Sequence, residues 1–210
     1  MVSTRAYRGV PADERRELRR SALIETVLDC LRDDGLGGVS VRSVCARSRL
    51  TPRYFYENFD DLDQLLVAAV DSVVDEVASA SLAAMAAAGD ETATQVRAAI
   101  DAGYGVVVTD PRKANALLVA AAGHGPLRER RHRVVTDYAD LIIDNLPALN
   151  ALGLSERRRA RATALFLMGG SAEVIEAALS GRLRMSRARL VDHLTTMWLG
   201  ALGAGLGGTG

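Results

Sequence analysis

Four of the nine aromatic residues in this 210-residue chain fall within six positions: Tyr54, Phe55, Tyr56 and Phe59. They stand in the run Leu50-Thr51-Pro52-Arg53-Tyr54-Phe55-Tyr56-Glu57-Asn58-Phe59. Phe55 and Phe59 are four apart, so on a helix they share a face and anchor it in a core. Tyr54, Tyr56 and Asn58 then point elsewhere with their polar tips available. Thr51 is a favoured N-cap residue, and Pro52 suits the first helical position, where its missing N–H costs nothing. The run therefore predicts a very short helix, pinned by two Phe, that offers Thr51, Arg53, Tyr54, Tyr56 and Asn58 to a partner. Those groups suit base edges and phosphate oxygens.

The flanks sharpen this reading. Gly35 and Gly37-Gly38 break the chain upstream, and Ser40 can cap a second short helix from Val41 to about Arg47. Ser48-Arg49-Leu50 is left as a three-residue turn between the two. Two short helices joined by a tight turn, the second polar at its start, form the helix-turn-helix pattern. Before them, Ile24, Val27, Leu28 and Leu31 mark a helix over about Arg15 to Asp33, which Gly35 ends. After them, Asp61 and Gln64 have capping-box spacing and Leu65-Leu66 open a long apolar helix to about Ala88.

Charge is distributed unevenly although the net charge is zero. Between residues 40 and 56 stand Arg42, Arg47, Arg49 and Arg53 and no acid. A small basic patch on a balanced protein fits a small DNA-facing surface. A solvated Arg-rich surface would look the same by itself, and only the coincidence with the helix-turn-helix separates the two. Ala and Leu abound, and Gly and Pro are scarce inside the periodic stretches, which argues for an all-α protein. No apolar run reaches the length of a membrane span and no signal peptide is visible, so a cytoplasmic protein without membrane contact is expected. Cys30 and Cys45 lie on apolar helix faces and read as small core residues. Arg5 and Arg8 precede the first helix as a basic arm or an ordinary tail.

The remaining two-thirds reads as further helices. Asp90-Glu91-Thr92 opens one with Val96, Ile100, Tyr104 and Val107 on a face. Another covers Ala114 to Ala122, closed by Gly123 and Gly125. A third runs from about Leu127 to Leu146 with Val134, Tyr138, Leu141 and Ile142 inward. Ser155 can cap a long helix to Leu179, ended by Gly181, and Ser186 a last one to about Leu202, before a loose Gly-rich tail. The long helix has two apolar stripes, one of Leu165, Met168, Ala172, Ile175 and Leu179, the other of Phe166, Gly170, Val174 and Ala177. It should be buried on both sides. With Leu190, Leu194, Met197, Trp198 and Ala201 of the last helix, these stripes fit either intramolecular core or a four-helix interface between two copies.

Signals for catalysis are absent. His124, His132 and His193 are scattered without metal-ligand spacing, and the chain has no CxxC, phosphate-cradling Gly loop or Gly-x-Ser-x-Gly. No enzyme, metal or cofactor is expected.

Residues 18 to 66 resemble the DNA-binding domain of the tetracycline-repressor (TetR) family of bacterial transcription regulators. The residues carrying the resemblance are Gly35, Ser40, Val44, Thr51, Phe55, Tyr56, Phe59 and Leu65-Leu66. Two positions depart from the family pattern: Arg49 stands where the turn usually has Gly, and Leu62 where a Lys usually opens the fourth helix. The resemblance implies a helix-turn-helix domain, placed here at 12–66, and a helical bundle at 67–204 that binds a ligand and dimerises. It implies a repressor that binds a palindromic double-stranded operator as a homodimer and is released by a small effector, taken here as largely apolar. DNA contacts are expected at Ser40, Arg42, Thr51, Pro52, Arg53, Tyr54, Tyr56 and Asn58. Ligand contacts are expected at Tyr104, His124, Tyr138, Phe166 and Gly170, each equally suited to plain core. Dimer contacts are expected at Leu165, Met168, Ala172, Leu179, Leu194, Met197 and Trp198. The alternative reading is a helical protein–protein adaptor with a degenerate DNA-binding domain, motivated by Arg49 and Leu62.

Overall fold

The computed structural model describes residues 11–121, 125–145 and 153–206. Among the described residues every regular element is a helix: α1 (Ala12–Gly38), α2 (Val41–Ser48), α3 (Pro52–Tyr56), α4 (Leu62–Ala87), α5 (Thr92–Thr109), α6 (Pro111–Ala121), α7 (Gly125–Asn145), α8 (Leu154–Leu179) and α9 (Arg187–Leu206). The chain divides into two compact units between Ala69 and Val70, within α4 and three residues beyond the expected boundary.

In the first unit, local signals fix each helix end. The regular part of α1 stops at Gly35, whose φ of 64° and ψ of 177° lie outside helical space. Ser40 caps α2 by accepting the Ser43 N–H at 3.0 Å, and Ser43 Oγ returns the favour to the Ser40 N–H at 2.9 Å. α1 packs on both α2 and α3. Leu23, Val27, Leu28, Val44, Phe55 and Leu65 are fully buried, with Cys30 and Cys45 among the buried residues. Burial raises the pKa of both thiols and keeps them protonated.

The second unit is held by α5 against α9 and by α7 against α8, with α8 and α9 also in contact. Tyr104 packs on Leu190, Val191 and Leu194, while Val96, Leu167 and Trp198 form a neighbouring cluster. Gly103 marks a close approach: a Cβ there would lie 2.5 Å from Ser81 Oγ of α4. The α4 residues of this unit are gripped by α7, through Tyr138, whose hydroxyl donates to the Val74 carbonyl, and the Arg130–Asp71 ion pair.

Several sequence expectations are corrected here. α8 starts at Leu154, so Ser155 is inside the first turn. Its cap is instead Gly153, whose N–H donates to the Glu156 carboxylate at 2.8 Å. α9 continues to Leu206, taking Gly203 and Gly205 of the supposed loose tail into helix. α8 is also long and apolar enough, by length and composition only, to cross a membrane, with mean hydropathy 1.4 over an 18-residue window. The sequence reading overlooked this because Glu173 and Glu176 interrupt the apolar run. His124, Arg5, Arg8 and the end of the Leu127–Leu146 helix lie outside the described residues, as does the Ile142 side chain.

Candidate nucleic-acid interface and internal cavity

The turn between α2 and α3 is closed by Arg49, which adopts the left-handed conformation at φ 57° and ψ 28° and donates its N–H to the Cys45 carbonyl. A side chain there costs more than Gly would, yet the geometry is that of a Gly turn. Thr51 occupies the N-cap position of α3 with no side-chain cap bond, and Pro52 follows at the helix start. The Thr51 hydroxyl is thus left exposed for other partners.

Phe55 is fully buried and Phe59 is 2% exposed, their rings 6.0 Å apart. Around them Thr51, Pro52, Arg53, Tyr54 and Tyr56 face outward, with Tyr56 59% exposed. Arg19 of α1 stacks 4.5 Å over the Tyr54 ring, a cation–π contact that orients the phenol. The same guanidinium lies 3.7 Å from Glu57, whose other oxygen accepts from Arg53 Nε at 3.1 Å.

Three expectations change in this unit. Asn58 is half-buried and turned back on its own helix: Nδ2 donates to the Tyr54 carbonyl at 2.7 Å, so its donor is already engaged. Arg47 belongs to the basic patch only by sequence, because it pairs with Asp33 at 3.0 Å and Asp34 at 3.9 Å. Among the described residues, Arg42 and Arg49 of the patch make no ion pair. At the start of α4, Asp61 accepts the Gln64 N–H at 2.8 Å, while Gln64 Oε1 takes the N–H of Asp60 rather than of Asp61. With Asp60, Asp61 and Asp63 beside them, the remaining N–H groups form a poor phosphate site, and half-buried Leu62 adds no charge.

The second unit contains a half-open cavity of about 300 Å³. Its wall is mainly apolar, with Val74, Val77, Ile100, Leu117, Val134, Val135, Met168 and Ile175 among the lining residues. Tyr104 and Tyr138 line it, and burial raises the pKa of both phenols, that of Tyr138 strongly, so both stay neutral. Phe166 and Gly170, expected at the ligand, do not line it. Phe166 is 74% exposed and Gly170 has open space around its backbone.

The residues expected at a dimer interface are displaced in the opposite direction. Leu194 and Trp198 are buried within this unit, and Leu165 packs on Ala139 and Ala164. Met168, Ala172, Leu179, Leu194 and Trp198 all line the cavity, and Trp198 donates its indole N–H to Ser171 Oγ at 3.0 Å. Of that set only Met197 is exposed, at 46%. The Phe166–Gly170 stripe of α8 is the more exposed of its two. Both stripes are apolar, and spacing alone does not say which faces inward.

No family model matches the chain. In sequence it is 32% identical over 89 residues to the HTH-type transcriptional regulator BetI of Burkholderia thailandensis, a stretch covering 42% of this chain and 46% of that one. The chain thus spans about half the length of the curated relatives it matches. Among solved structures it is similar to the fatty acid degradation regulator FadR from Bacillus halodurans, with TM-score 0.68 at 13% identity over 90% of this chain and 95% of that one. It is also similar to a TetR family transcription regulator from Marinobacter aquaeolei, with TM-score 0.62 at 19% identity over 90% and 97%. The chain has the fold of these transcription regulators, with a helix-turn-helix unit in its first 69 residues and a cavity-bearing helical unit in the residues that follow.

Proposed function

We propose that this protein is a DNA-binding transcription regulator, a repressor acting as a homodimer and released by a small, largely apolar effector. The observation that carries the reading is α3. A five-residue helix, pinned by buried Phe55, leaves Thr51, Arg53, Tyr54 and Tyr56 outward beside a tight turn. Such a helix has too little apolar surface to serve as a general docking face, and its donors suit a major groove. Arg53 and Tyr54 read base edges; Ser40, Arg42 and Tyr56 meet phosphates. Asn58 joins them only by giving up its bond to Tyr54.

The effector occupies the cavity of the second unit, against Tyr104 and Tyr138. Because α4 contributes to that wall, a bound molecule shifts α4 and disfavours the DNA-competent state. Phe166 and Gly170 of α8 with Met197 and Gly200 of α9 form the exposed part of the dimer face. DNA binding places the protein in the cytoplasm, and α8 serves as an interface helix rather than a membrane span.

Selection of bound sequences from a random duplex pool tests this. The expected result is a palindrome with half-sites about one helical turn, roughly 34–36 Å, apart. Failure to enrich any sequence, with binding insensitive to salt, would favour the adaptor.

A further inference from the structure

The chemistry of the cavity wall restricts its guest beyond general apolarity, and this deepens the effector reading just given. Two charged side chains reach the wall, Arg131 of α7 and Glu176 of α8. They pair with each other at 3.7 Å, and each has another partner: Arg131 binds Glu173, and Glu176 accepts from Arg182 at 2.5 Å. Every charge at the wall is therefore compensated from within the chain. A guest carboxylate or ammonium entering here loses its water without meeting a free counter-charge, which is strongly unfavourable.

The neutral polar groups differ in their availability. Tyr138 already donates to Val74, and Ser171 already accepts from Trp198 and keeps only its own O–H to give. The hydroxyls of Ser81 and Tyr104, both lining residues, have no hydrogen-bond partner among the described residues. Size sets the last limit. An apolar cavity of about 150 Å³ holds a benzene-sized guest, and this one is about 300 Å³.

We infer that the cavity selects an uncharged, mainly hydrocarbon guest of about 10–14 non-hydrogen atoms, with a single hydrogen-bonding group for Ser81 or Tyr104. An ionic amphiphile of the same shape is rejected because the Arg131–Glu173–Glu176–Arg182 cluster is closed on itself.

Trp198 is the only tryptophan in the chain and lines the cavity, so its fluorescence reports occupancy directly. The full chain is titrated at neutral pH with decanol, decanoate and decylammonium. Decanol is expected to give a saturable change, at least about tenfold tighter than either ion. Two separate filling variants, Ala172→Leu and Ala99→Leu, should weaken it while keeping the helical spectrum of the parent. A charge variant supplies the sharper test. Glu173→Gln with Glu176→Gln leaves Arg131 without its two carboxylates and should raise decanoate to or above decanol, with decylammonium still weak. The inference is overturned if either ion binds the parent more tightly than decanol, if no probe saturates, or if the charge variant leaves the ranking unchanged. No DNA enters the titration. A chain that binds duplex DNA but no probe sinks this inference alone, and one that binds decanol but no DNA sinks only the regulator reading.

Discussion

The two units use their few aromatic side chains in opposite ways. In the first, alternation in α3 and the turn that follows it decides everything: Phe55 and Phe59 are buried, Tyr54 and Tyr56 are outside. In the second, Tyr104 and Trp198 are buried beside a cavity while Phe166, on an equally apolar helix, is 74% exposed. A five-residue helix pinned at one position has one possible phase. A 26-residue helix with two apolar stripes has at least two, and local sequence does not choose between them.

The two phenylalanines make the contrast measurable. Phe55→Ala removes a fully buried ring and should cost about 3–5 kcal/mol in a urea titration, enough to unfold a small helical unit. Phe166→Ala, titrated at a concentration low enough for the chain to be monomeric, should change the stability of the subunit by no more than about 0.5 kcal/mol. Comparable losses at both sites would mean that Phe166 is core, and the contrast between the units would collapse.

Next in size is the dimer. Phe166→Arg places a charge at the centre of the proposed interface. A central aromatic is commonly worth 2 kcal/mol or more, about 30-fold in dissociation constant. Sedimentation should show the variant as monomer at concentrations where the parent is dimeric. Met168→Arg is a contrasting control, because Met168 lines the cavity and its loss should unfold the unit rather than merely separate subunits. A variant Phe166→Arg that remains fully dimeric would remove the exposed face of α8 from the interface.

These contrasts also show what was legible in the sequence. The helix-turn-helix could be read because most of its ends carry their own chemical signal: Gly35, Ser40, Thr51 with Pro52, and Asp61 with Gln64. Tertiary pairing was not legible. Nothing local told that Arg47 would turn to Asp33 and Asp34, or that Arg19, more than thirty residues away, would cover Tyr54. In the second unit, helix existence followed from periodicity, but the cavity did not. A cavity is space left between helices, and it is lined by the same Val, Leu and Ala that would fill it. Tyr104 and Tyr138 fall on the inward faces of their helices in the sequence pattern, as the cavity requires, but nothing in the pattern marks Met168, Ala172 or Trp198 as cavity-lining.

A smaller effect tests the turn of the first unit. Arg49 holds φ at 57° where Gly would be unstrained. Left-handed geometry costs a side chain about 1–2 kcal/mol, partly offset by the extra chain entropy of Gly, about 0.5–1 kcal/mol. Arg49→Gly should therefore stabilise by up to about 1 kcal/mol, seen as a higher melting temperature. The same change deletes an unpaired cation of the patch, so DNA affinity should fall and the salt slope should become shallower by about 0.9 per phosphate lost. Stability and binding moving together would show that Arg49 faces away from the nucleic acid.

The smallest effect concerns Glu57, the carboxylate between Arg53 and Arg19. Its bond to Arg53 spans one helical turn, and Arg53 is 85% exposed, so the pair adds only about 0.2–0.5 kcal/mol to folding. Glu57→Gln should accordingly be almost silent in a denaturation curve. On DNA the balance differs. The carboxylate partly neutralises Arg53 and repels nearby phosphates, so its removal should raise affinity by about two- to fivefold at 0.1 M salt. At 1 M salt the Debye length shrinks from about 10 Å to 3 Å, and the gain should vanish. Pairing Glu57→Gln with Arg53→Ala closes a double-mutant cycle. If the gain acts through Arg53, it disappears in the Arg53→Ala background. If it persists there, Glu57 acts on the phosphates directly. Weaker binding by Glu57→Gln would reverse the assignment. Glu57 would then be a brace that holds Arg53 in register, and base preference at the Arg53 position should broaden along with the loss.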